Sequence, residues 1–335
     1  ITAVAPAGSA GTVQVTVTTA GGTSNGVAYT YVAVPTLTTV VPSAGSVTGG
    51  TTVVLTGTNL TGATAVSFGG TPATSFTVDS ATQITAVAPA HAAGTVQVTV
   101  TTAGGTSNGV AYTYVAVPTL TTVVPNLGSV TGGTTVVLTG TNLTGATAVS
   151  FGGTPATSFT INSATQITAV APAHAGGTVQ VTVTTVGGTS NGVAYTYVAV
   201  PTLTTVVPSA GSVTGGTTVV LTGTALTGAT AVSFGGTPAT SFTVDSATQI
   251  TAVAPAGSAG TVQVTVTTAG GTSNGVSYTY VAVPTLTTVV PSAGSVTGGT
   301  TVVLTGTALT GATAVSFGGT PATSFTRDTP PHKTP

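Results

Sequence analysis

The chain has 335 residues with 2 Lys or Arg, 3 Asp or Glu and a formal net charge of -1; 41% are hydrophobic, Gly occurs 47 times, and Cys, Met and Trp are absent. Neutralising phosphates takes several basic side chains on one face, and Arg327 and Lys333 are the only ones here, so nucleic-acid binding is excluded. Without Cys there are neither disulfides nor thiolate metal sites, and no apolar run reaches the ~18 residues of a membrane helix.

The segment Val41 to Gly70, VPSAGSVTGGTTVVLTGTNLTGATAVSFGG, returns almost unchanged from Val124, Val207 and Val290, a period of 83 residues. Residues 1–34 match 84–117, so the chain begins inside a copy. Complete copies are expected over 35–117, 118–200 and 201–283, then the N-terminal part of a copy over 284–326 and a divergent tail over 327–335. With no initiator Met or signal peptide, the N-terminus reads as that of a fragment. The first two complete copies differ only at Ser43/Asn126, Ala44/Leu127, Val78/Ile161, Asp79/Asn162, Ala93/Gly176 and Ala103/Val186, which points to recent duplication.

Within residues 35–117 apolar and polar residues alternate with period two, and Gly or Pro interrupts every ~8–12 residues, the pattern of an all-β sandwich. Thr36 to Val41 reads as a first strand bounded by Pro35 and Pro42, which suits a sheet edge. Ser43 to Gly50 reads as a turn region, and Thr51 to Thr58 as a strand with Val53 and Leu55 on one face. Thr64 to Phe68 follows, closed by Gly69-Gly70, which allow the positive φ of a tight turn. Phe76 and Val78 mark a short strand, and Ile84 to Val87 the next. The last hairpin joins Thr95 to Thr101 and Val110 to Val115 through AGGTSNG, with Tyr112 and Tyr114 sharing a face. No segment has helical periodicity. Between copies Val115-Ala116-Val117 runs straight into Pro118, without a Gly/Ser linker.

These residues resemble the IPT/TIG family of immunoglobulin-like domains. The likeness is carried by Pro42, Gly45, Gly49-Gly50-Thr51, Val53, Leu55, Gly57, Asn59, Leu60, Val66-Ser67-Phe68-Gly69-Gly70 and Ala73. It continues through Ile84, Pro89, Val96-Gln97-Val98-Thr99-Val100, Gly105, Ser107, Tyr112 and Tyr114. The resemblance implies tandem early-set immunoglobulin-like β-sandwiches. It also implies a non-catalytic structural or adhesive repeat array of a bacterial cell-surface or secreted protein, an extended stalk or interaction module. The alternative it leaves open is a set of carbohydrate-binding accessory modules of a secreted polysaccharide-acting enzyme. The partner expected is a surface protein or polysaccharide. Asn59 and Asn142 become Ala225 and Ala308 in later copies, so the loop role of Asn in the family is not required in every copy.

No catalytic, cofactor-binding or metal-ligating residue is assigned. Gly105-Thr106-Ser107-Asn108-Gly109 satisfies the G-x-S-x-G expression and recurs around Ser24, Ser190 and Ser273. It joins two strands where a nucleophile elbow joins strand to helix, and no His recurs in every copy, so it reads as a hairpin turn. His91 and His174 stand where other copies have Gly8 and Gly257 and read as exposed loop residues. Asp79 and Asp245 are single acids replaced by Asn162, too sparse for calcium. Gly45 to Thr51 lacks the Lys of a phosphate loop. Asn59-Leu60-Thr61 and Asn142-Leu143-Thr144 fit the glycosylation sequon, or the Asn serves as a local backbone partner. Tyr112 and Tyr114 belong to the core, or stack on sugars if exposed. The tail RDTPPHKTP reads as a frameshifted end without function, or as a short native basic tail.

Strands of about 7 residues plus end loops give an advance of roughly 35 Å per copy if the short Pro-stiffened connections hold neighbours in line. Small-angle scattering should then give a radius of gyration of about 30 Å or more, whereas one compact particle of this length gives about 20 Å.

Overall fold

The computed structural model describes residues 1–327, and among them every regular element is a β-strand. The tail beyond Arg327, where a shifted reading frame is expected, lies outside the described residues. Two compact units, Ile1–Tyr197 and Val198–Pro335, carry the repeats.

Residues 35–117 illustrate each complete copy. The strands are β1 (Thr36–Val41), β2 (Ala44–Ser46), β3 (Thr52–Thr58), β4 (Ala65–Phe68) and β5 (Thr71–Pro72), followed by β6 (Ser75–Ser80), β7 (Gln83–Val87), β8 (Gly94–Thr102), β9 (Gly105–Thr106) and β10 (Val110–Val115). One sheet has the order β6-β7-β3-β1, and the other β2-β10-β8-β4-β5 with β9 pairing β8. The β1 strand lies at a sheet edge, where its flanking prolines remove no ladder bond.

Register follows from burial, because a slip of one residue would turn every apolar side chain outward. On the first sheet Ile84 stands opposite Leu55 and Ala86 opposite Val53. On the second, Val98 faces Phe68, Val100 faces Val66, and Val96 faces Tyr112. The inward sides of both sheets meet in one cluster of Leu37, Val53, Leu55, Phe68, Ile84, Val98, Val100, Tyr112 and Tyr114 with their neighbours. Phe68 and Tyr112 meet edge to face at 5.3 Å between ring centroids, and Tyr112 meets Tyr114 likewise at 5.0 Å. Corresponding clusters fill residues 118–200 and 201–283, each drawn from one copy only.

Two elements depart from the sequence reading, the shorter being β9, which lies within the expected connection AGGTSNG and pairs with β8. The stretch expected as a turn, Ser43 to Gly50, contains β2, which pairs in parallel with β10 through Thr113 to Ala44, Tyr114 to Gly45 and Val115 to Ser46. A side chain at Gly45 would collide with the Tyr112 hydroxyl and with Thr51, so only Gly lets the backbone close over that ring.

Val15 and Tyr29, in the positions of Val98 and Tyr112, are 51% and 44% exposed, whereas Val98 and Tyr112 are each at 0%. Leu138→Ala should destabilise residues 118–200 by about 2–5 kcal/mol, because a fully buried side chain leaves a cavity behind. Urea unfolding followed by tyrosine fluorescence should show one early step beside an unchanged remainder. A single shifted transition for the whole chain contradicts separate cores.

Candidate functional site

The connection between β8 and β10 holds the recurring Ser and Asn. A Cβ on Gly104 would press into the Ala33 carbonyl of the preceding connection, so Gly lets the two backbones touch. The Ser107 hydroxyl accepts a hydrogen bond from the Val100 amide at 3.0 Å and donates to the Asn108 carbonyl at 2.8 Å. It is 8% exposed, and its polar contacts are to main chain, so the geometry is that of a turn fastener. Asn108 does what sequence reasoning missed. Its Oδ1 accepts from the Leu37 amide at 2.9 Å, and its Nδ2 donates to the Leu37 carbonyl at 2.9 Å. A side-chain amide thereby imitates a strand neighbour and binds β1 to the opposite sheet across 71 residues of sequence. Asn191 clamps Leu120, and Asn274 clamps Leu203, in the same way.

The other conspicuous residues are spread out. Among the described residues no group of three or more His, Cys, Asp or Glu is placed to hold a metal ion. Asp79 is exposed and accepts from the Thr85 hydroxyl at 2.7 Å, as Asp245 does from Thr251. Where the second copy has Asn162, its Nδ2 donates to Thr168 at 2.7 Å, so the link persists with the donor reversed. A shallow depression on residues 118–200 is lined by Val123, Val124, Pro125, Val193 and Ala194 and presents no titratable group.

His91 and His174 are half-buried, which corrects their reading as exposed loop residues. His91 stacks on Tyr114 at 4.9 Å, and His174 on Tyr197 at 4.9 Å. In copies with Gly at this place the tyrosine hydroxyl instead donates to a proline carbonyl, Tyr280 to Pro255 at 2.9 Å and Tyr31 to Pro6 at 2.8 Å. A side chain at Gly257 would strike the Tyr280 ring, so a His here goes with a different placement of the phenol, and the Tyr114 and Tyr197 hydroxyls are left buried without a partner. Tyr112 and Tyr114, at 0% and 1% exposure, are core residues and offer no face to a sugar.

Asn59 sits in the left-handed region at φ 57°, and its Nδ2 donates to the Val34 carbonyl of the preceding connection at 3.2 Å. The atom a glycan would need is thus already engaged. Asn142 repeats this with Val117 at 3.2 Å. Ala225 keeps the same backbone at φ 54° without the side-chain link.

These features define tandem immunoglobulin-like β-sandwiches whose loops are tied down by side-chain to main-chain hydrogen bonds. The IPT/TIG domain model matches residues 35–114, 118–197, 201–280 and 284–329, and the chain belongs to that family. No curated protein sequence matches it. Among solved structures, the plexin A4 extracellular region is 23% identical with a TM-score of 0.36, covering 78% of this chain and 26% of that one. FdeC, an Escherichia coli adhesin, is 20% identical with a TM-score of 0.29, covering 74% of this chain and 97% of that one. The Bacteroides ovatus protein SGBP-B, solved with a mixed-linkage heptasaccharide, is 17% identical with a TM-score of 0.23, covering 75% of this chain and 71% of that one.

Burial, and then the neighbouring Tyr112 phenol, push the Tyr114 hydroxyl from 10.0 up to about 12. Tyr197 is raised to about 12 for the same reasons, burial first and Tyr195 second. The unfolded phenol releases its proton near 10.0 and the folded one only near 12, so this contribution to stability is whole below pH 10 and is lost as pH rises to about 12. Urea midpoints should fall across that window while tyrosinate absorbance appears late; a flat midpoint with all phenols titrating together near 10.0 contradicts this. Ala225→Asn should stabilise residues 201–283 by about 1 kcal/mol, since Asn tolerates the left-handed region better and regains a bond to the Val200 carbonyl. Thermal unfolding of the variant checks it.

Proposed function

We propose that the chain is a non-catalytic structural and adhesive array of a bacterial cell-surface or secreted protein, with residues 35–117, 118–200 and 201–283 as its complete folding modules. It serves as a stalk, or as a series of equivalent contact faces whose weak individual attachments add through multivalency. One observation carries this reading: in all three complete modules the tyrosines are interior, and the outward positions of the strands are mostly Thr, Ser and Gln. Such a face suits wet, repeated contact and lacks titratable groups positioned for acid or base work. The connections support the stalk role, because Asn59 and Asn142 fasten the connection entering the first two complete modules to those modules' own loops.

The carbohydrate-binding reading requires exposed aromatic platforms. In the complete modules the half-buried rings of Phe76, Phe159 and Phe242 are the only aromatic side chains outside the buried core, apart from the two stacked histidines. A glycan array probed with the 335-residue chain decides between the two. The structural reading expects no saccharide retained at low surface density. Specific retention that is lost on Phe76→Ala together with Phe159→Ala and Phe242→Ala would replace it with the carbohydrate-binding one.

A further inference from the structure

Each Asn that clamps the first strand is followed by Gly: Asn108-Gly109, Asn191-Gly192 and Asn274-Gly275, with Asn25-Gly26 in the incomplete copy. The Gly has its own reason to be there. A Cβ on Gly109 would meet the Gln97 side chain at 2.7 Å, and Gly192 and Gly275 meet Gln180 and Gln263 in the same way. The fold therefore sets a carboxamide required for closure beside the one residue whose main-chain nitrogen is least hindered. We propose that Asn108, Asn191 and Asn274 are latent self-deamidation sites, held inert by the clamp and released when the first strand lifts.

The chemistry balances without any oxidant or reductant. The deprotonated main-chain nitrogen of Gly109 attacks Cγ of Asn108, a new C–N bond forms, the Cγ–Nδ2 bond breaks, and the amide nitrogen leaves as ammonia after taking up a proton. Water then opens the resulting succinimide at either carbonyl, giving aspartate or an isoaspartyl linkage with an extra methylene in the main chain. While the clamp is shut this attack is opposed, because Oδ1 and Nδ2 are both held on the Leu37 backbone and the carboxamide cannot swing toward Gly109. After conversion the two-bond clamp cannot re-form, since only its accepting half, from the Leu37 amide, remains open to a carboxylate. A carboxylate has no N–H for the Leu37 carbonyl and sets negative charge against that oxygen. Opening of a module thereby leaves a permanent covalent mark.

Asn25 provides an internal reference. Among the described residues its hydrogen bonding is through its main-chain carbonyl, which accepts from Ser24, and no strand is clamped by its side chain. The test incubates the 335-residue chain at mildly alkaline pH, in buffer and in denaturing urea, and follows the gain of about 1 Da at each Asn-Gly pair by peptide mass spectrometry. In urea all four pairs should convert together. In buffer Asn25 should keep nearly its urea rate, while the other three slow by at least about tenfold, the signature of reaction through local opening. Equal rates at all four pairs in buffer would overturn the gating. The consequence is read separately on Asn191→Asp, which affects one module and leaves the other two as references. A lower urea midpoint for residues 118–200, with the other two modules unchanged, supports the weakened fastening; an unchanged midpoint overturns it.

Discussion

The structure depends on period-two burial in a chain almost without charge. With only Asp79 and Asp245 as formal charges within the three complete modules, no ion pair sets the register, so the alternating face must do so. Phe68, Tyr112 and Tyr114 give that face its bulk and meet edge to face, a geometry that favours one arrangement of the two sheets over its neighbours. Leu55, Ile84, Val98 and Val100 fill the remaining space at 0% exposure.

Closure of the sandwich then falls to neutral amides and hydroxyls. Asn108 stands in for a strand beside β1, Ser107 shapes the turn before it, and Thr pairs such as Thr36 with Thr58 and Thr95 with Thr113 link strands on the outer faces. Differences among copies respect this division. Asp79 and Asn162 exchange donor and acceptor roles around the same Thr, and His91 replaces Gly only where the tyrosine hydroxyl is differently placed. Ala225 keeps the left-handed backbone of Asn59 at the loss of one hydrogen bond.

The strands were legible because alternation over Thr52–Thr58, Gly94–Thr102 and Val110–Val115 is strong and Gly or Pro bounds each run. The β2 strand was not, because Ala44-Gly45-Ser46 has no apolar alternation and its pairing is created by β10 packing beside it. The Asn108 clamp was invisible for a related reason. Its partner lies 71 residues away, and in sequence the Asn is absorbed into a turn-like GTSNG. The one available signal was its recurrence at Asn25, Asn108, Asn191 and Asn274 while Asn59 gave way to Ala225. His91 was misread because its neighbours in sequence are loop residues, whereas its ring partner Tyr114 comes from another strand.

An array of self-contained sandwiches suits tension and repeated contact, since each complete copy holds its own core and its own clamp. Stretching single chains held at both ends tests this most directly. Three separate unfolding events are expected, one for each buried cluster. Each should release about 250 Å of chain, because a stretch of 83 residues spans about 3.5 Å per residue less the folded length. One event spanning several copies, or smooth extension without events, would contradict it.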